Sequence, residues 1–146
     1  MKTYKHLVAV YGTLKRGHSR YSYLQNQRYL GIGITEPLYK IYQLSGHPAL
    51  VQVKESVPSL GNSVYCELYE VDEECLKKLD IVESVSHGLY ERKYIKFKEI
   101  NLAFLPTDEK VFEDCQKRQA EGYFYKKSVE GAKDCGDFWC KSSSLT

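Results

Sequence analysis

The hydrophobic pattern opens with Leu7-Val8-Ala9-Val10-Tyr11, an unbroken apolar run closed by Gly12. A run of this length with no polar alternation reads as a central strand buried on both faces. Residues 12 to 17 form a loop, and residues 21 to 27 suit a short helix. Residues 29 to 44 hold two strand-like stretches interrupted near Pro37, since proline cannot donate to a ladder. Gly46-His47-Pro48 marks a turn, residues 49 to 53 a short strand, and residues 57 to 63, with Pro58 and Gly61, a loop. Residues 64 to 71 read as strand again. Asp72 is then a good N-cap, with Glu73 and Glu74 in the first turn, where the helix dipole favours acids. Val71, Cys75, Leu79 and Val82 recur at helical spacing, which predicts an amphipathic helix over residues 72 to about 83.

Further on, residues 94 to 98 alternate and read as a half-solvated strand. Residues 107 to 120 are polar, with Val111, Phe112 and Cys115 interspersed, and suit a short surface helix. Residues 122 to 125 form a last strand. From about Ser128 the apolar content falls and the chain runs into Ser142-Ser143-Ser144, so residues 1–128 read as one domain and 129–146 as a loosely ordered tail. Many short strands with one well-marked helix predict a β-rich α+β domain built around a small barrel.

Composition narrows the function classes. A chain of 146 residues with 42% apolar and 27% charged positions fits one globular domain with its own core. A net charge of +2, with Lys15-Arg16 standing alone, argues against nucleic acid as the partner. No apolar run approaches the ~20 residues of a membrane span. The basic start of MKTYKHLVAVYG lacks the apolar length and cleavage site of a signal peptide. Five cysteines, odd in number and without C-x-x-C, point to a reduced, cytoplasmic protein. Cys135-x4-Cys140 has no nearby histidine and falls short of a four-ligand zinc site. Thirteen tyrosines against one Trp are the unusual count, and tyrosine suits pockets that need an apolar wall with a polar tip.

Three constellations can carry chemistry. In Tyr11-Gly12-Thr13-Leu14-Lys15-Arg16-Gly17 a glycine directly follows a buried strand, so successive backbone N–H groups can turn outward and bind an oxyanion. The bland alternative is a plain strand-to-loop turn. Gly12-x4-Gly17-His18-Ser19 also approaches the phosphate-loop pattern, but His18 stands where that chemistry requires lysine. Glu83 ends the expected helix, where the negative dipole end and any burial raise a carboxyl pKa toward the range of a general base. A solvated acid at a helix end is the competing reading. Gly88-Leu89-Tyr90-Glu91-Arg92 reopens a strand just after it. The four histidines are scattered, and no Ser or Cys sits in a nucleophile elbow.

In order along the chain, VYGTLKRG, a Gly-His-Pro-Ala-Leu-Val segment, Glu67-Leu68-Tyr69-Glu70-Val71-Asp72, Leu79-Asp80-x-x-Glu83 and Leu89-Tyr90-x-Arg92 resemble the γ-glutamyl cyclotransferase-like superfamily. The YGTLKRG loop and the LD-x-x-E-S…LY-x-R segment look most similar to its γ-glutamylamine cyclotransferase branch. The resemblance covers roughly residues 6 to 98, with residues 123 to 126 as a final strand. Cys66 departs from it, standing where the family often has glycine. The resemblance implies a small mixed β-barrel with flanking short helices and a cavity at one end. It implies that the backbone amides of Gly12, Thr13 and Leu14, beside Tyr11, hold a small γ-glutamyl substrate. It implies that Glu83 is the acid/base residue and that Tyr90 and Tyr125 line the pocket. The implied reaction is cyclisation to 5-oxoproline, with no metal, nucleotide or other cofactor. A non-catalytic ligand-binding or interaction module on the same fold is the alternative. The leaving amine and the oligomeric state are not legible.

Overall fold

The computed structural model describes residues 3–12, 21–44, 47–53 and 61–135 of the chain. Strand β1 (Tyr4–Val10) is buried on both faces from Leu7 onward, where its unbroken apolar run lies. Leu7 and Ala9 enter one core cluster, with Leu30, Ile41, Leu68 and Phe97, while Val8 and Val10 enter the other, with Tyr69, Leu76 and Leu79.

A short 3-10 turn, Tyr21–Leu24, leads into β2 (Arg28–Thr35) and β3 (Tyr39–Gln43), separated at Pro37. Then come β4 (Pro48–Gln52), β5 (Tyr65–Asp72), α1 (Glu73–Val82) and β6 (Tyr90–Leu102). The described chain ends with α2 (Glu109–Gln116), β7 (Gln119–Tyr125) and β8 (Lys133–Asp134). Five strands close a barrel in the order β1-β5-β2-β6-β7, and β4-β3-β8 form a second, three-stranded sheet. The barrel is mixed because β7 meets β1 in parallel, Val8 facing Glu121, while the other pairs are antiparallel. This is the α+β barrel with two short helices that the sequence predicts.

Three elements differ from expectation. β6 spans 13 residues, because its first half pairs with β7 and its second half with β2. α2 is not simply a surface helix, since Val111 is fully buried in the core cluster. Residues 133–135 do not belong to a loose tail. Lys133 and Asp134 pair with Gln43 and Tyr42, Cys135 N–H donates to the Ile41 carbonyl, and Lys40 bonds Asp134 at 2.7 Å. Backbone pairing anchors this stretch, with Cys135 alone packing against the core cluster, which is why composition missed it. Residues 136–146 lie outside the described residues.

α1 forms where the pattern placed it. Asp72 Oδ1 accepts from the Cys75 N–H at 2.7 Å, and Cys75, Leu76 and Leu79 face the core. Its direction matters most. β5 ends opposite the start of β1, Asp72 beside Tyr4. α1 then runs back for about 15 Å at ~1.5 Å per residue. Its last turn therefore returns toward the end of the barrel where β1 finishes.

Candidate active site at one end of the barrel

That end collects the expected residues. β1 stops just before Tyr11. β7, parallel to β1, stops at Tyr125, and β6, antiparallel to β7, starts at Tyr90, its register partner. α1 delivers Glu83 as its C-cap, with the Glu83 N–H donating to the Leu79 carbonyl at 2.9 Å. Ser84 and Gly88 then take left-handed conformations (φ 54° and 73°), which reverse the chain from the helix into β6. Gly88 is the residue type that does this at least cost.

Glu83 is only 8% exposed, so it is not a solvated helix-end acid. Its charge and the Tyr90 phenol both reach Tyr11, whose own phenol is pushed well above its ordinary value, by burial first and by these two neighbours next. Tyr11, Tyr90 and Glu83 thus share one buried corner. Tyr125 stacks edge-on against Tyr90 at 5.3 Å between ring centres. Thr13 and Leu14 lie outside the described residues.

The phenols have structural duties that the sequence did not reveal. Tyr11 donates to the Tyr123 carbonyl at 2.7 Å and accepts from the Leu50 N–H at 3.2 Å. Tyr90 donates to the Pro48 carbonyl at 2.7 Å, with His47 Nδ1 at 3.1 Å. Both tyrosines therefore fix the start of β4 against the site. Gly12 belongs to the same junction, because a Cβ there would lie 2.2 Å from Cγ of the Pro48 ring. The glycine is needed for this close approach, and a larger residue at 12 would displace Pro48. One signal for this hub was present: the His-Pro-Ala-Leu segment is part of the motif series.

A second polar group, also missed, lies beside the site. Tyr123 donates to Asp80 Oδ1 at 2.6 Å, and Arg92 Nε lies 3.0 Å from the same oxygen, as an ion pair of poor hydrogen-bond angle. Arg92 also bonds Glu121 at 2.6 Å. Burial and the bond to Asp80 push the Tyr123 phenol far above its ordinary value, so it stays a donor. A cavity of about 330 Å³ lies near the other end of α1, lined by Gln27, Asp72, Cys75 and Lys78 among others, and contains none of the expected site residues. Among the described residues the cysteines are free thiols, and no helix is long and apolar enough to cross a membrane.

The fold is one that known proteins share. The family model described as "Gamma-glutamyl cyclotransferase, AIG2-like" matches residues 8–141, past the domain limit expected at 128. The chain belongs to this family. It is 44% identical over 81 residues to a Vibrio cholerae protein that carries a provisional γ-glutamylcyclotransferase name, covering 56% of this chain and 64% of that one. It is 35% identical over 97 residues to γ-glutamylaminecyclotransferase A of Danio rerio, covering 62% and 58%. These matches span less than two thirds of either relative's length. A mouse AIG2-like protein of known structure shares the fold, with a TM-score of 0.63 at 23% identity over 87% of this chain and 80% of that one.

Proposed function

We propose that the protein cyclises a γ-glutamyl group, releasing 5-oxoproline and a free amine, with Glu83 as the general acid/base. The observation that carries this reading is the burial of the Glu83 carboxyl, whose charge reaches the buried phenol of Tyr11, the residue before Gly12. Family membership supports the reaction class.

Glu83 takes one proton from the substrate's α-ammonium. The freed amine attacks the γ-carbonyl carbon, forming the C–N bond of a five-membered lactam. The tetrahedral oxyanion is met by backbone N–H groups of Gly12 and of Thr13 and Leu14 after it, each donor contributing ~3 kcal/mol in sites of this kind. As the original amide C–N bond breaks, Glu83 returns its proton to the departing nitrogen. The second proton shed by the ring nitrogen ends on the same amine, which leaves as an ammonium. Both reacting groups belong to one molecule, so proximity supplies much of the rate. Tyr90 and Tyr125 act through their rings, as an apolar wall, and Tyr11 through its backbone.

The γ-glutamylamine branch is the substrate class we favour, on the YGTLKRG and LD-x-x-E motifs and the likeness to the Danio rerio protein. A cytoplasmic setting suits the free thiols. The deciding measurement is 5-oxoproline release from a panel of γ-glutamyl amino acids, γ-glutamyl alkylamines and ε-(γ-glutamyl)lysine. Turnover of the amine-linked members is expected. Binding without release from any member would leave a ligand-binding module instead.

A further inference from the structure

A general base at the C-cap of a ten-residue helix faces a mechanical problem. Terminal turns fray, yet a misplacement of about 1 Å at a reacting group costs up to ~100-fold in rate. Something must hold the last turn of α1, where Leu79 is buried but Ile81 is exposed.

Asp80 lies three residues before Glu83, on the same side of the helix. It receives the Tyr123 hydroxyl at 2.6 Å and has the Arg92 guanidinium 3.0 Å from the same oxygen. Tyr123 and Arg92 are register partners on β7 and β6, so the acceptor docks onto a rigid ladder and not onto a loop. Tyr123 is 3% exposed, and its main-chain carbonyl accepts the Tyr11 hydroxyl. One residue therefore ties the acid-bearing helix through its side chain and the strand leading to Gly12 through its backbone. The opposite end of α1 is tied as well, where His6 Nε2 meets Glu73 and His6 Nδ1 lies 3.8 Å from Glu121, the carboxylate that Arg92 also holds.

We propose that Tyr123 and Asp80 are positioning residues for the cyclisation: their hydrogen bond sets the distance between the Glu83 carboxyl and the Gly12 backbone. The proposal rests on Glu83 being the proton-handling group. Asp80 and Arg92 are each 27% exposed, so their ion pair is screened and adds little to stability. The effect belongs in the rate.

The test compares Tyr123→Phe and Asp80→Ala, alone and combined with Glu83→Gln, by kcat, KM and melting temperature. Tyr123→Phe keeps the ring and removes the bond. Each single variant is expected to lose about 10-fold in kcat with KM within about twofold. In the Glu83→Gln background neither should lower kcat further, because a residue acting through Glu83 has nothing left to position. Asp80→Asn keeps an oxygen for Tyr123 and should recover most of the loss. A full additional loss in the Glu83→Gln background, or kcat unchanged in the single variants, overturns the positioning role. Near-normal turnover by Glu83→Gln itself overturns the reading of Glu83 instead, so the two failures are distinct. If Tyr123→Phe does not fold, Asp80→Ala, at a half-buried position, decides the question alone.

Discussion

Two buried glutamates in this barrel share a residue type and differ in everything around them. Glu70, on β5, is fully enclosed. Its carboxylate accepts from Arg28 Nε at 3.0 Å, from the Thr107 N–H at 2.8 Å, from the Thr107 hydroxyl at 2.9 Å and from the Asp108 N–H at 3.0 Å. These donors belong to the chain itself and lead straight into the N-cap of α2, where Asp108 accepts from Lys110 and Val111. Glu83 is slightly less buried and caps a helix C-terminus, its charge reaching the phenols of Tyr11 and Tyr123. Burial alone therefore does not mark a catalytic acid. Glu70 is the more buried of the two, yet its donors lock it as a bracket between β5 and α2, and a bracket cannot trade protons. On the proposed reading of Glu83, the neighbours decide the role.

The contrast predicts opposite phenotypes for one substitution. Glu83→Gln should lower turnover by about 10²–10⁴-fold, some 3–5 kcal/mol of barrier, with melting temperature and 5-oxoproline affinity nearly unchanged. Glutamine keeps the shape but cannot accept and return a proton. Glu70→Gln should do the reverse. Its amide group would face N–H donors and lose the pairing with Arg28, at a cost of about 2–4 kcal/mol in urea unfolding. Activity per folded molecule should survive. Turnover lost in Glu70→Gln at full stability would break the comparison.

Tyr11 sharpens it, because it stands in the site yet is bonded like a structural group. Tyr11→Phe strands the Tyr123 carbonyl and the Leu50 N–H, a loss of about 1–3 kcal/mol. Its kcat should fall by no more than the ~10-fold expected of Tyr123→Phe, since each cuts one link of the same tie, while a larger fall at unchanged stability would assign the phenol to the chemistry. The pH dependence follows from the same burial. The folded phenol titrates above its unfolded value, near 10, so its stabilisation is complete below about pH 10 and is lost as pH rises through the folded value. Tyr11→Phe should therefore flatten part of the alkaline loss of stability.

What the sequence disclosed follows the range of the forces involved. β1 and α1 were legible because their signals are local: an unbroken apolar run, a capping aspartate, apolar residues at helical spacing. The full length of β6 was hidden because Glu91, Arg92, Lys93 and Lys96 mask the alternation, and only its two partner strands define it. β8 is held by backbone bonds that composition cannot show. In the site, the motif series pointed to Glu83, and helix position alone left it level with any surface acid. The bonds of Tyr11, Tyr90 and Tyr123 join residues 39 to 112 positions apart, a separation that no spacing rule reads.

The smallest effect lies on the Glu70 side, at Cys115 of α2. Its thiol is pushed up to about 11, by burial first and then by the charges of Asp114 and Glu70. Because the folded value exceeds the unfolded one, the thiol's contribution to stability is complete below about pH 9 and is lost as pH rises toward about 11. At pH 8 a shift of this size cuts the thiolate fraction about 100-fold, since each unit is a factor of ten. Alkylation at pH 8, read by peptide mass spectrometry, should therefore label Cys115 far more slowly in the native protein than in urea. Glu70→Gln removes the weaker of the two anionic influences and should speed native labelling only modestly. Glu83→Gln, at the other end of the barrel, should leave the rate where it was. Equal acceleration by both variants would mean that the two carboxylates are not electrostatically separate, and the division between bracket and acid would fail with it.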